Sequence, residues 1–147
     1  MLAHHYPVEA SPDFQTFEFV SDGQNGSIVK VVRFTEINLK NFFNLGFGDK
    51  DPSNGFVSDL SVTNNGDSQK VLATVVATLY VFFEMNPEAT VIATGSTAAR
   101  NRLYRMGIAN NLAEAEKDFI LFGLTNSKWE PFQTGKNYKA FLVRRKL

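Results

Sequence analysis

The sequence predicts a single α+β domain: a mixed, mostly antiparallel sheet around a buried central helix, with a second helix after a short strand. Three observations carry this. The chain is 147 residues long, the size of one ordinary domain. Apolar residues make up 44% and charged residues 20%, a globular balance, and 14 phenylalanines are enough for a large core without disulfides or metal. Strand-like alternation fills the first third and the last quarter, and a helical run lies between them.

Phe14 to Val20 reads as a strand, Asp22-Gly23-Gln24-Asn25-Gly26 as a turn, and the β-branched run Ile28 to Phe34 as the returning strand. Asn38 to Asn54 sets Phe42, Phe43 and Phe47 among Gly46, Gly48 and Pro52, which suggests an aromatic-anchored loop or short helix. Phe56 to Val62 alternates as a third strand. Asn64-Asn65-Gly66-Asp67 ends it, and Asp67 or Ser68 is placed to cap a helix from Ser68 to Met85. That helix is apolar almost all round, so it is expected to be buried on more than one side. Within it Val71 to Phe83 runs without a charge, but a membrane span needs about 20 such residues, so no membrane is implied.

Thr90 to Thr94 is a short strand, Ala98 to Met106 a helix ended by Gly107, and Asn110 to Lys117 a further helix capped by Asn110 or Asn111. Phe119 to Leu124 and Tyr138 to Arg145 close the sheet, with Trp129-Glu130-Pro131-Phe132 in the connection. Residues 1–12 are expected to fray. They hold no apolar leader, which together with the absence of cysteine fits a reducing cytoplasm. Zero cysteine also excludes thiol catalysis and Cys-ligated zinc. The adjacent His4 and His5 make a poor metal site. Asp49, Asp51 and Asp59 could form a carboxylate cluster, but Asp49-Lys50-Asp51-Pro52 reads first as a solvated turn, and Glu84 is one possible base that no spacing selects. Trp129, Phe132 and Tyr138 read as packing beneath the closing hairpin before they read as an aromatic wall.

Charge divides the chain. Residues 1–97 carry a net −6 and residues 98–147 a net +6. The richest local signal lies where the sign changes. A strand runs into Gly95-Ser96-Thr97, and a helix then opens with Arg100 and Arg102 in its early turns and no carboxylate. Free N–H groups at a helix start attract anions, whereas cations there oppose the helix dipole by about 0.3–1 kcal/mol. A bound phosphate reverses that penalty, because guanidinium forks grip phosphate in bidentate fashion. Gly95, Ser96, Thr97, Arg100 and Arg102 are therefore candidate anion ligands, for a phosphate-bearing small molecule or a nucleotide. The competing reading is plain capping by Ser96 or Thr97, with Arg100 paired to an acid elsewhere. Zero net charge argues against tight nonspecific nucleic-acid binding. Phe42-Phe43 can serve a homodimer or the core.

Two resemblances follow from these residues. The Thr94–Met106 block, with Trp129–Phe132 and Tyr138–Lys146, resembles a family of small uncharacterised bacterial proteins with a T-G-S-T-x-x-R-x-R-L-Y-R-M signature, which implies no activity. The β-β-β-α-β-α-β-β order is similar to the GNAT-type N-acetyltransferases. That resemblance implies acetyl-CoA or another acyl-CoA as cofactor and places the pyrophosphate loop at Asn64 to Gln69, around Gly66. It also implies Tyr104, in Leu103-Tyr104-Arg105-Met106-Gly107, as the acid that protonates the thiolate, with a carboxylate such as Glu36 as base. The loop has one glycine and then Asp67, where that family reads Q/R-x-x-G-x-G/A. Two functions thus stand side by side: a non-catalytic binding module with an anion site at Gly95–Arg105, and an acyl-CoA-dependent N-acyltransferase.

Overall fold

Strand alternation, set by where the phenylalanines fall, builds one sheet. The computed structural model describes residues 4–50, 57–58, 64–94 and 98–146. The strands are β1 (Glu9–Ala10), β2 (Thr16–Gly23), β3 (Gly26–Glu36), β4 (Phe42–Lys50), β5 (Val57–Ser58), β6 (Thr90–Ala93), β7 (Phe119–Leu124), β8 (Trp129–Pro131) and β9 (Ala140–Arg145). The helices are α1 (Ser68–Met85), between β5 and β6, then α2 (Ala98–Asn110) and α3 (Leu112–Asp118), between β6 and β7. The sheet runs β1-β2-β3-β4-β6-β9-β7-β8, with β5 pairing on β4. Every pairing is antiparallel except β4 with β6.

Register puts the large side chains on one face. Phe17 stands opposite Val32 and Val32 opposite Phe47. Phe34 faces Leu45, Leu45 faces Ala93, and Ala93 faces Phe141. These residues form one buried cluster with Val71, Val75, Phe82 and Phe83 of α1, Tyr104 of α2 and Ala115 of α3, so all three helices cover the same face. Phe82 is the hub. Its ring stacks on Phe34 at 4.2 Å and meets Phe43 edge-on at 5.0 Å. The continuous burial from Val71 to Thr78 matches the all-round apolar pattern of α1. Its two threonines are tolerated inside because Thr74 and Thr78 donate to the carbonyls of Lys70 and Val75.

The structure departs from the sequence reading at several points. Residues 42–50 are a central strand, not a loop or short helix. Phe43, Leu45, Phe47 and Asp49 point inward, while Gly46 and Gly48 fall on the opposite face beside Arg33 and Val31. Trp129–Pro131 is a strand rather than a connection, and its proline is accommodated because β8 lies at the sheet edge. Gly107 does not end α2, which continues to Asn110. A Cβ at Gly107 would stand 3.0 Å from Leu72, so this glycine serves the close approach of α2 to α1. Of the expected strand 56–62, the described part is β5; the remainder lies outside the described residues. The N-terminal segment is anchored at Tyr6, which is 6% exposed and whose backbone N–H donates to Thr74 Oγ1 at 2.9 Å.

Tyr80 ties α1 to the end of α3, donating to Asp118 at 2.9 Å. Burial, then that hydrogen bond, pushes its phenol up to about 12. The unfolded phenol ionises first, near its ordinary value of about 10. Stability is therefore expected to fall as pH rises from about 10 towards 12. Tyr80→Phe should flatten part of that fall in denaturant titrations at stepped pH. Tyr6 and Tyr138, whose phenols burial also raises, should contribute to the same fall.

Candidate functional site: the end of the sheet where two parallel strands part

β4 and β6 run together only from Phe42 opposite Thr90 to Leu45 opposite Ala93. There β6 ends, while β4 continues to Lys50 and is met by β5 at Asp49 and Lys50. Among the described residues, Gly46 to Gly48 has no strand neighbour on that edge. Because β6 starts beside the start of β4, α1 must run back between them, so its N-terminus lies at the carboxyl end of β4. α2 starts from the same end of β6. Open sheets bind ligands at the carboxyl ends of parallel strands, where helix N-termini gather.

The turn before α1 is clamped to the β2–β3 hairpin. Asn65 is 2% exposed; its Oδ1 accepts the Asn25 N–H at 2.6 Å and its Nδ2 donates to the Gly26 carbonyl at 2.8 Å. Gly66 takes a left-handed φ of +79°, which a side chain would strain. Asp67 stands at the N-cap position but makes no cap bond. Its Oδ2 accepts instead from Tyr6 at 2.5 Å and from Ser21 Oγ at 2.6 Å. This corrects the capping expected of Asp67. Hydroxyls from the N-terminal segment and from β2 outcompete the local N–H groups, so among the described residues no side chain caps the first turn of α1, and that turn contains no acidic residue.

On the α2 side, Gly95, Ser96 and Thr97 lie outside the described residues, as does the side chain of Arg100. The first turn of α2 has no acidic residue, and Arg102 is exposed. Arg105 donates to Asn137, and Asn101 donates to the Lys139 carbonyl at 3.2 Å, which joins the arginine-bearing helix to the loop before β9. Tyr104 is 6% exposed, with its ring 6.4 Å from that of Phe141. Glu36 is elsewhere. It ends β3 at the opposite end of the sheet, is exposed, and accepts the Asn41 N–H at 3.1 Å. The fold thus brings Gly66 and the α2 arginines to one end and leaves Glu36 at the other.

Sequence reasoning missed the buried ion pair. Lys30 Nζ donates to Asp49 Oδ1 at 2.6 Å, with Lys30 1% and Asp49 8% exposed. They are register partners on the covered face, in line with Phe19. The signal was present in the alternation of Ile28, Lys30, Val32 and Phe34, which points a lysine inward. Asp51 and Asp59 lie outside the described residues, and Glu84 is exposed. Phe132 and Tyr138 do pack together, at 5.6 Å, whereas Trp129 is 39% exposed. Tyr138 donates to Glu130 at 2.8 Å, and Lys136 followed by Tyr138 holds the Glu130 carboxyl below the ordinary range.

Among the described residues, no group of three or more His, Cys, Asp or Glu could hold a metal ion, and His4 and His5 are exposed. No described helix is long and apolar enough to cross a membrane. No curated protein and no solved structure matches the chain significantly. Residues 2–146 match the profile of a family of unknown function (DUF6934), and the chain belongs to that family.

Proposed function

We propose that the protein is a binding domain for a phosphate-bearing ligand, held where β4 and β6 part. The observation that supports this is the separation of the parallel pair beyond Leu45 and Ala93, with the N-termini of α1 and α2 at that same end. Phosphate oxygens would take the N–H groups of the uncapped first turn of α1 beside Gly66, and of the Gly95-Ser96-Thr97 turn, with Arg100 and Arg102 as cationic partners. The diversion of Asp67 to Tyr6 and Ser21 supports the reading, since it turns the nearest carboxylate away from that turn.

The ligand class is tested by thermal unfolding with acetyl-CoA, ATP or inorganic pyrophosphate. A ligand at about 100 times its dissociation constant adds about 2.7 kcal/mol, several degrees for a domain of this size. Arg100→Ala and Arg102→Ala should each remove most of the shift, and Arg102→Ala, at an exposed site, should leave the ligand-free melting point within about 2 °C. No shift with any of the three at millimolar concentration would sink the proposal.

One observation favours a second reading, acyl transfer from acyl-CoA to an amine. β9 inserts between β6 and β7, beside a single parallel pair, an order similar to that of the GNAT-type N-acetyltransferases. In such a step the amine nitrogen bonds to the thioester carbonyl carbon, the C–S bond breaks, the amine gives a proton to a base, and the thiolate takes one from Tyr104. Release of free CoA thiol in the presence of amines separates the readings. A melting shift without thiol release leaves the binding module standing alone.

A further inference from the structure

The sheet has two faces, and the helices cover one. Phe42, Ile92, Leu142, Phe122 and Leu124 alternate with the inward residues, are half-buried, and lie outside the core cluster and its flanking residues. Register gathers most of them into a patch. Ile92, Leu142, Phe122 and Pro131 are successive partners across β6, β9, β7 and β8. Ala140, Leu124 and Trp129 form the row on one side, and Thr90, Arg144 and Ile120 the row on the other. Ile120 and Trp129 are each 39% exposed. Contiguous apolar surface of this kind, rimmed by polar residues, marks an interaction site.

We infer that this face is the contact between two copies of the chain. Eight strands about 4.8 Å apart, with rows about 20 Å long, make a face of about 760 Å², close to the roughly 800 Å² that each partner of a stable interface buries. Its layout also fits. Apart from Thr90 and Arg144 in its outer row the β6–β8 half is apolar, while the β2–β4 half carries Arg33, Asn44 and the Glu18–Lys50 pair, bonded at 3.2 Å, as a polar border. Charge selects a copy over an acidic or basic partner. Register puts Glu9, Glu18 and Asp22 on this face against Arg33, Lys50 and Arg144, so its charges balance and two copies do not repel. Two sheet faces stack about 10 Å apart with near-aligned strands, burying Trp129 and Phe122 as aromatic anchors.

Sedimentation of the full chain at micromolar to near-millimolar concentration tests this. The expected result is a dimer that Leu142→Glu converts to a monomer with an unchanged far-UV spectrum. Met85→Glu, at an equally apolar site 56% exposed on the end of α1, should leave the dimer intact. The chain has no cysteine, so Leu142→Cys introduces a unique thiol. A two-fold axis that stacks one copy's patch on the other's brings the two Leu142 positions together, so a short bis-maleimide should join Leu142→Cys chains but not Met85→Cys chains. A wild-type monomer at the highest concentration overturns the inference. A dimer that withstands Leu142→Glu, or that Leu142→Cys fails to cross-link, overturns it too by placing the contact elsewhere. If Leu142→Glu does not fold, the cross-linking result decides.

Discussion

Lys30→Met is expected to destabilise the fold by about 3–5 kcal/mol, the cost of removing one member of a buried ion pair. The side chain is nearly conserved in volume, so the loss is electrostatic. Lys30 is 1% exposed and bonds Asp49 at 2.6 Å, in a row bounded by Phe19 on β2. Once the ammonium is gone, the Asp49 carboxylate stays inside without that charge. The double variant Lys30→Met/Asp49→Leu should recover most of the loss, because a matched apolar pair removes both desolvation costs together. Urea denaturation of the wild type, both single variants and the double variant closes the cycle. A single-variant loss under about 1 kcal/mol would mean that water reaches the pair.

Gly123→Ala is expected to cost about 2–4 kcal/mol, through a clash rather than through backbone conformation. A Cβ at this position would stand 2.4 Å from the Tyr138 ring, which therefore has to move. Moving it breaks the 2.8 Å bond to Glu130 and disturbs the ring contacts with Phe132 and Phe141. In a Tyr138→Ala background the same change should cost under about 1 kcal/mol, and the non-additivity of the cycle measures the clash. Additive losses would show that strand geometry, not the ring, excludes a side chain at Gly123.

How much was readable in advance differs between elements. α1 was legible end to end, because an apolar run between the Asn64–Asp67 turn and Pro87 has one helical solution. The β2–β3 hairpin was legible for the same local reason. β4 was not. Gly46 and Gly48 read as breakers until Arg33 and Val31 are known to stand opposite them. Gly107 read as a helix stop, because nothing local reveals that Leu72 lies 3.0 Å from its missing Cβ. The site divides likewise. The acetyltransferase resemblance marked Gly66, and a Gly-Ser-Thr turn with a cationic helix start marked the Gly95–Arg102 stretch, but whether Glu36 shares their end of the sheet depends on strand direction.

What the sequence determined by itself is the α+β class, the phenylalanine-rich core, the buried helix and the uneven distribution of charge. These follow from composition and from periods of two and 3.6 residues, which are properties of the local chain. Tertiary structure alone decided that Asp67 serves Tyr6 and Ser21 rather than its own helix, that Lys30 finds Asp49, and that β9 enters between β6 and β7. Each of these joins residues far apart in sequence. Their energies depend on register and burial, which exist only once the sheet has formed.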